Sequence, residues 1–579
     1  MRMPATGVSF DEIPVIEVNR ENIDRLWPHL ILSIRKATLI ALDLELSGLG
    51  ERAAINAASL EDRYAAMSMI YRLLRQAATT RSVLSLGIAL FERQKTKKEK
   101  RVAYKCQVFN VLSLCAEPFT MEPDALRFLA DHSFDFNRYV RQGVSYHAAH
   151  QSAKSANVVS EDEASLSEYD IDHIEVHAVE LVPEVVPPKC LIQAVIDTTP
   201  IEFELDTGSA VSVIGYQTWK ALGSPSLQET HRAAKAYGGQ LLRFRGVLQT
   251  EDCKLIDLYK SCPLRSLLDE LLSPRAPIAL HNGLVDLIFL YAHFYTTPPP
   301  TLSQFVADLA DLFPSGAEDK EQDEVAPIVD SKFVAEYMDH MPASYLEYVF
   351  RKSQRDNFLE AAEGRVHVKM SFSGCVIEIV PSSSLERVGC SLPTGFPDQT
   401  VDTKTAIQRL CAQFANHGFC RKGAACTHAH DVDLALDVEK IKSEKVRRRR
   451  KRRLDAQAGL ERSDEKEDGV SMASSGDRDE STGDTQQQPR EPFSVTGAHR
   501  AGVDAFMTGF AVLYHARMSL LKDGGSLPAT ITNRIPLSGK DRPLHLVSSR
   551  LIECSTAHLD RVMLARAARK KADAARAHV

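Results

Sequence analysis

Residues 38 to 46 read TLIALDLEL, a run of apolar residues broken only by two acids, Asp43 and Glu45. Apolar side chains recur on alternate positions, the period of a strand, and a small-residue turn, SGLG, follows. Successive side chains of a strand point to opposite faces, so two acids two residues apart project from one face. Carboxylates placed in that way can grip a hard cation together. The stretch therefore asks for a sheet, and for a partner over the face that carries the acids.

The surrounding sequence supplies more of that sheet. SVLSLGIALF (82 to 91) and AYKCQVFNVLSL (103 to 114) are two further strand patterns, rich in Val, Leu and Phe. LEDRYAAMSMIYRLLRQAA, between the first two strands, and DALRFLADHSFDFNRYV, after the third, place apolar residues at helical spacing. Helical patterns resume at PLRSLLDELLS (263 to 273) and GLVDLIFLYAHFY (283 to 295), then at TLSQFVADLADLF and KFVAEYMDHM. The expectation is an α/β core, a mixed sheet with flanking helices. A chain of 579 residues with 44% hydrophobic content has room for two to four structural units.

Two stretches break the pattern. From 158 to 260, acidic sequence of low order leads into a proline-bounded β-like segment, and we read this as an insertion. From 441 to 490, IKSEKVRRRRKRRLDAQ runs into a tract with almost no large apolar residue, which predicts a disordered linker. There is no run of eighteen apolar residues, and the N-terminus lacks the build of a signal peptide, so the expectation is a soluble, non-secreted protein with no membrane partner. Eleven cysteines, an odd number and mostly scattered, point to a reducing compartment. The net charge of -7 averages a strongly basic run with acidic stretches, so local charge is the informative quantity.

Two more motifs complete a catalytic constellation. In LHNGLVDLIFLY (280 to 291), Asp286 sits in a strongly apolar helical pattern, an expensive place for a charge unless it is paired or metal-bound. HRAGVDAFMTGF (499 to 510) carries His499 and Asp504 just before a helical run, so a carboxylate can hold metal while the imidazole handles a proton. Four carboxylates and a histidine are what two-metal cleavage of a phosphodiester requires. Taken together, ALDLELSGLG, LHNGLVDLIFLYAHFY and HRAGVDAFMTGF resemble the three exonuclease motifs of the DEDD ribonucleases, in the deadenylase branch, and the His-x-x-x-x-Asp spacing marks the DEDDh subgroup. The resemblance covers most of the chain outside the insertion and the linker. It implies an RNase H-like core, with Asp43, Glu45, Asp286 and Asp504 as ligands of two Mg²⁺ ions and His499 as the general base. It also implies 3'-to-5' removal of nucleotides from RNA, with poly(A) or the short 3' tails of small nuclear RNAs as substrates. Asp330, in IVDSKF, lies in a family-like segment and is given a structural or rim role.

CAQFANHGFCRKGAACTHAH (411 to 430) spaces Cys411, Cys420, Cys426 and His430 as Cys-x8-Cys-x5-Cys-x3-His. Three thiolates and an imidazole close a tetrahedral shell around one structural Zn²⁺, and so short a unit has almost no core of its own, so the metal supplies its folding energy. His428 is an alternative fourth ligand. Phe414 and Phe419 beside Arg421 and Lys422 offer ring faces and charge suited to single-stranded RNA, and the resemblance to CCCH fingers points the same way. Arg447 to Arg453 is a run of seven cations, read first as a signal for a nuclear import receptor and second as a contact to RNA backbone. The order of exonuclease motifs, finger, basic run and last motif resembles the nuclear CCCH-finger deadenylases, which implies a nuclear location.

Within the insertion, IEFELDTGSAVSVIGYQTW and AYGGQLLRFRGV resemble retroelement aspartic proteases, with Asp206 in the catalytic position. That chemistry needs two carboxylates sharing a proton, one triplet supplies one, and no closing strand follows Val247. The segment is expected to be a truncated, vestigial protease unit. The divisions expected are a first core segment at 10 to 157, the insertion at 158 to 260, a second core segment at 261 to 395, the finger at 405 to 435, the basic run and linker at 441 to 490, a third core segment at 495 to 550, and a helical tail at 551 to 579. The leading function is a nuclear Mg²⁺-dependent exoribonuclease; the alternatives are a catalytically impaired RNA-binding protein and, last, a protease.

Overall fold

The computed structural model describes Val8 and residues 10–50, 63–95, 100–151, 263–273, 276–314, 326–372, 380–397, 403–461, 500–522, 526–537 and 542–563, together with strand backbone between 170 and 256. A nine-stranded mixed sheet organises them. Its first five strands are β1 (Glu12–Val18), β2 (Leu39–Leu46), β3 (Val83–Gln94), β4 (Arg101–Cys115) and β5 (Val144–Tyr146). Across the sheet the order is Ile328–Asp330, Ile278–Leu280, β2, β3, β4, β1 and Leu385–Gly389, with β5 and His367–Ser371 also pairing with β4. β2, β3 and β4 pair antiparallel, whereas β1 pairs parallel to β4 and Ile278–Leu280 parallel to β2. The mixed sheet with flanking helices expected from sequence is the architecture found.

Both faces of the sheet are covered, which is why β3 begins with nine consecutive buried residues instead of alternating. On one face the helices Ile23–Lys36, Arg63–Ala78, Pro263–Leu272, Leu284–Leu290 and Leu302–Leu312 bury Leu30, Tyr71, Leu267, Ile288 and Phe305 in a single core. On the other lies the helix Ala501–Lys522, apolar around most of its circumference because it is enclosed between the sheet and the helix Leu346–Ala362. Phe506 and Phe510 pack there with Phe91, Phe10 and Phe350. The helical pattern around 283 to 295 is an α-helix to Leu290 that widens into a π-helical turn, Tyr291–Tyr295.

The described strands between 170 and 256 pair only with one another, in three small sheets, and none joins the nine-stranded sheet. Asp206 lies outside the described residues. The helix Pro263–Leu272 packs against β5, so the chain re-enters the core beside the point where it left.

The structure differs from the sequence reading at the basic run. In place of a linker beginning at 441, one helix runs from Val432 to Glu461 and carries Arg447 to Arg453 within it. Lys, Arg, Glu and Ala are good helix formers, and Glu444 pairs with Arg448 one turn on, so a segment with no apolar face of its own continues a helix nucleated by packing upstream. Among the described residues no helix is long and apolar enough to cross a membrane.

Candidate metal centre and zinc finger

β2 presents Asp43 and Glu45 to the face on which the Ala501–Lys522 helix lies, and that helix adds Asp504 from its first turn. The approach requires a particular neighbour: Gly87 of β3 pairs directly with Asp43, and a Cβ at Gly87 would overlap the carbonyl of Ala501. The glycine lets the start of the helix lie on the strand. As a result one carboxylate oxygen from each of Asp43, Glu45 and Asp504 falls within 4.8 Å of the others.

Asp286 comes from the first turn of the Leu284–Leu290 helix, where burial raises its proton affinity and the backbone amides of Asp286 itself and of Leu44 oppose that rise. It is near enough to raise the proton affinity of both β2 acids, although it stands outside the tight group of three. Burial, then the charges of Asp504 and Asp286, pushes Asp43 and Glu45 well above the ordinary carboxylate range. Burial pushes Asp504 up to about 7 and Asp286 up to about 7. Converging buried carboxylates that repel one another are a poor arrangement for stability and a good one for a divalent cation, whose charge removes both costs. The residues present fit such ions. His499 lies outside the described residues; Arg500, its neighbour, is at the head of the helix.

Asp330 is fully buried and accepts the backbone N–H groups of Asn282, Gly283, Lys332 and Phe333 at 2.8 to 3.2 Å. It caps the turn that leads into the Asp286 helix and makes no part of the three-carboxylate group. Sequence reasoning missed Glu347, in the first turn of the Leu346–Ala362 helix, whose carboxyl is pushed up to about 8 by burial and then by the charge of Asp504. It lies 157 positions from Asp504 in sequence, and no local pattern marks it.

In the finger, the Sγ atoms of Cys411, Cys420 and Cys426 and a ring nitrogen of His430 lie within 4.8 Å of one another. Nε2 of His430 is buried without a hydrogen-bond partner, as a nitrogen aimed at a metal would be. The residues therefore fit a closed zinc shell, with His430 in the place where His428 was the alternative. The two phenylalanines separate: Phe414 stacks on the His430 ring at 5.0 Å and reaches Tyr345 at 5.9 Å, whereas Phe419 is exposed beside exposed Arg421 and Lys422. Phe414 is thus engaged within the protein. The finger is fastened to the core through the Val432–Glu461 helix, where Arg351 and Asp433, both buried, meet at 2.8 Å and Arg355 adds a second contact at 3.4 Å.

A family model described as CAF1 family ribonuclease matches residues 18–512. The mouse protein described as poly(A)-specific ribonuclease PNLDC1 is 21% identical over 319 residues, 52% of this chain and 56% of that protein. The human protein of the same description is 21% identical over 300 residues, 48% of this chain and 54% of that protein. The chain thus spans about half the length of these curated relatives. Among solved structures, Schizosaccharomyces pombe Pop2p in its Mg²⁺- and Mn²⁺-bound form is similar over 23% of this chain and 48% of that one, with 15% identity and a TM-score of 0.18.

Proposed function

The chain belongs to the CAF1 family of ribonucleases, and from that premise we propose that it is a divalent-metal-dependent 3'-to-5' exoribonuclease that removes poly(A) or short 3' tails from RNA, small nuclear RNAs among them. The observation that carries this reading is the convergence of Asp43, Glu45 and Asp504 oxygens within 4.8 Å at the head of a buried helix, with Asp286 across from them. Two Mg²⁺ ions there would supply Lewis acidity toward the scissile phosphate and a more acidic attacking water. The protein's part is to hold four carboxylates in place, and His499 has the role of proton acceptor. Names of the relatives support adenosine tails as substrate, since two of them are described as poly(A)-specific.

Cys411, Cys420, Cys426 and His430 would hold one structural Zn²⁺, and with it a surface of Phe419, Arg421 and Lys422 for single-stranded RNA, a ring for stacking and two charges for backbone phosphates. Arg447 to Arg453 serves as the address for a nuclear import receptor, which places the enzyme in the nucleus; exposure of Arg447 to Arg452 supports this role. The test is an assay of full-length protein with Mg²⁺ and a 3'-tailed RNA, wild type beside Asp504→Ala. Laddered shortening by wild type and loss of at least a hundredfold in the variant is the expected result, as for removal of a group that acts on the transition state. Equal rates in the two, or no shortening by wild type, defeats the reading.

A further inference from the structure

We propose that Glu17 is a positioning residue that sets Asp504 against Asp43 and Glu45, and so governs how tightly the centre holds divalent cations; the idea rests on the metal-centre reading above. Parallel pairing aligns Glu17 of β1 with Asn110 of β4, and antiparallel pairing aligns Asn110 with Gly87 of β3 and Gly87 with Asp43 of β2. Directly paired residues point to the same face. A single row therefore crosses four strands from the metal ligand Asp43 to Glu17, three strand spacings or about 14 Å in all.

The head of the Ala501–Lys522 helix is laid along this row. At Gly87 the missing side chain makes room for the Ala501 carbonyl. At Asn110 the side-chain oxygen accepts the Gly502 N–H at 3.4 Å and the Ser85 hydroxyl at 2.8 Å. At Glu17, only 3% exposed, both carboxylate oxygens accept the Asn110 amide at 3.2 Å, and the guanidiniums of Arg138 and Arg500 stand at 3.4 and 3.6 Å. Arg500 is gripped a second time by Glu386, on the strand that pairs with β1. The carbonyl of Arg500 accepts the backbone N–H groups of Val503 at 2.8 Å and Asp504 at 3.0 Å. Pinning its side chain therefore fixes the carbonyl on which the helix starts, and Asp504 with it.

A buried carboxylate between two guanidiniums is weak evidence of stability, because desolvation offsets the attraction; its best-attested use is to fix register. Here the register fixed is that of a helix against a sheet, and the element so placed carries a metal ligand. Glu17 itself stands three strands from Asp43 and belongs to no metal-ligand group among the described residues. Glu17 and Glu45 do line a common cleft with Asn110, Arg138 and Arg500, so the clamp and the centre are neighbours.

The test is Glu17→Gln in the full, zinc-loaded chain, with Mn²⁺ as the probe. Mn²⁺ affinity measured without RNA should fall about tenfold, as when a partner that orients a metal ligand is removed. The Mn²⁺ concentration for half-maximal RNA cleavage should rise by the same factor, with the rate restored at saturating metal. Amide exchange at Val503 and Asp504 should quicken. Glu12→Gln is the comparison: its partner Arg387 lies on the same two strands, both side chains are more than half exposed, and Arg500 is not involved. If Glu17→Gln binds Mn²⁺ as Glu12→Gln does, or exchange at 503 and 504 is unaltered, the proposal is overturned. Should Glu17→Gln fail to fold, Asn110→Ser, which removes the amide linking the row to Glu17, is read by the same measurements. Because Mn²⁺ binding is measured without RNA, it decides the matter even for a chain that cleaves nothing.

Discussion

Asp504 and four other acids crowd one region, and their proton affinities carry a prediction. Asp43 and Glu45 are raised by burial and mutual repulsion, Asp286 and Asp504 lie at about 7, and Glu347 at about 8. An acid whose folded-state pKa exceeds its unfolded value binds more protons when folded, so stability falls as pH rises through that interval. His281 and His293, lowered by burial to about 3, act in the opposite sense, and their effect levels off about one unit above the ordinary histidine value of about 6.5. Beyond that the raised acids continue to lower stability as they ionise. The zinc-loaded chain free of other divalent ions should melt at lower temperature at pH 8.5 than at pH 6.5, and Mg²⁺ should remove most of the difference. A melting temperature that is flat or rising over this range in the absence of Mg²⁺ would show that the carboxylates do not repel one another as described.

At the level of elements, the Leu346–Ala362 helix stands between the candidate metal centre and the Cys/His cluster of the finger. Its first turn places Glu347 toward Asp504, while Arg351 and Arg355, one and two turns on, hold Asp433 at the start of the Val432–Glu461 helix. Asp433→Ala leaves two buried guanidiniums short of their partner, a loss of about 3–5 kcal/mol for a buried pair broken on one side. Chemical denaturation should show a destabilisation of that size with zinc content retained, since no zinc ligand is touched. A loss under about 1 kcal/mol would mean that the finger is not fastened to the core at this joint. The same helix explains why the basic run was misread from sequence. Charged residues lacking an apolar face look disordered in isolation, and only the anchored first turns, buried at Val432 and Leu436 against Tyr348, make the rest an extension of existing helix.

For the whole molecule, the described strands between 170 and 256 pair among themselves, and the chain rejoins the core at a helix packed on the strand it departed from. Among the described residues, then, those between 158 and 260 interrupt the sequence of the core without interrupting its sheet. Replacing them with a short Gly/Ser linker should leave Mn²⁺ affinity and melting temperature close to wild type, because loop length alters closure entropy only slowly. A drop of about 10 °C or more, read by calorimetry, would show that the core leans on the insertion.

The sequence by itself determined the elements whose pattern repeats over enough residues to be seen: β2, β3 and β4, the helices that flank them, and the pair of acids on one strand face. Short, fixed spacing marked the four finger ligands, whereas Asp286 and Asp504 were marked by the motifs around them and by the family resemblance those motifs carry. The strands Ile278–Leu280 and Ile328–Asp330 were not legible, since three residues show no period. Nor were Glu17 and Glu347, whose partners lie far off in sequence, or the parting of Phe414, turned onto His430, from Phe419, turned to solvent. Tertiary structure decided these, because pairing across a sheet and packing between helices join residues that share no local pattern. Asp43 could be read from TLIALDLEL; that it faces Asp504 depends on a glycine, an asparagine and a glutamate on three other strands.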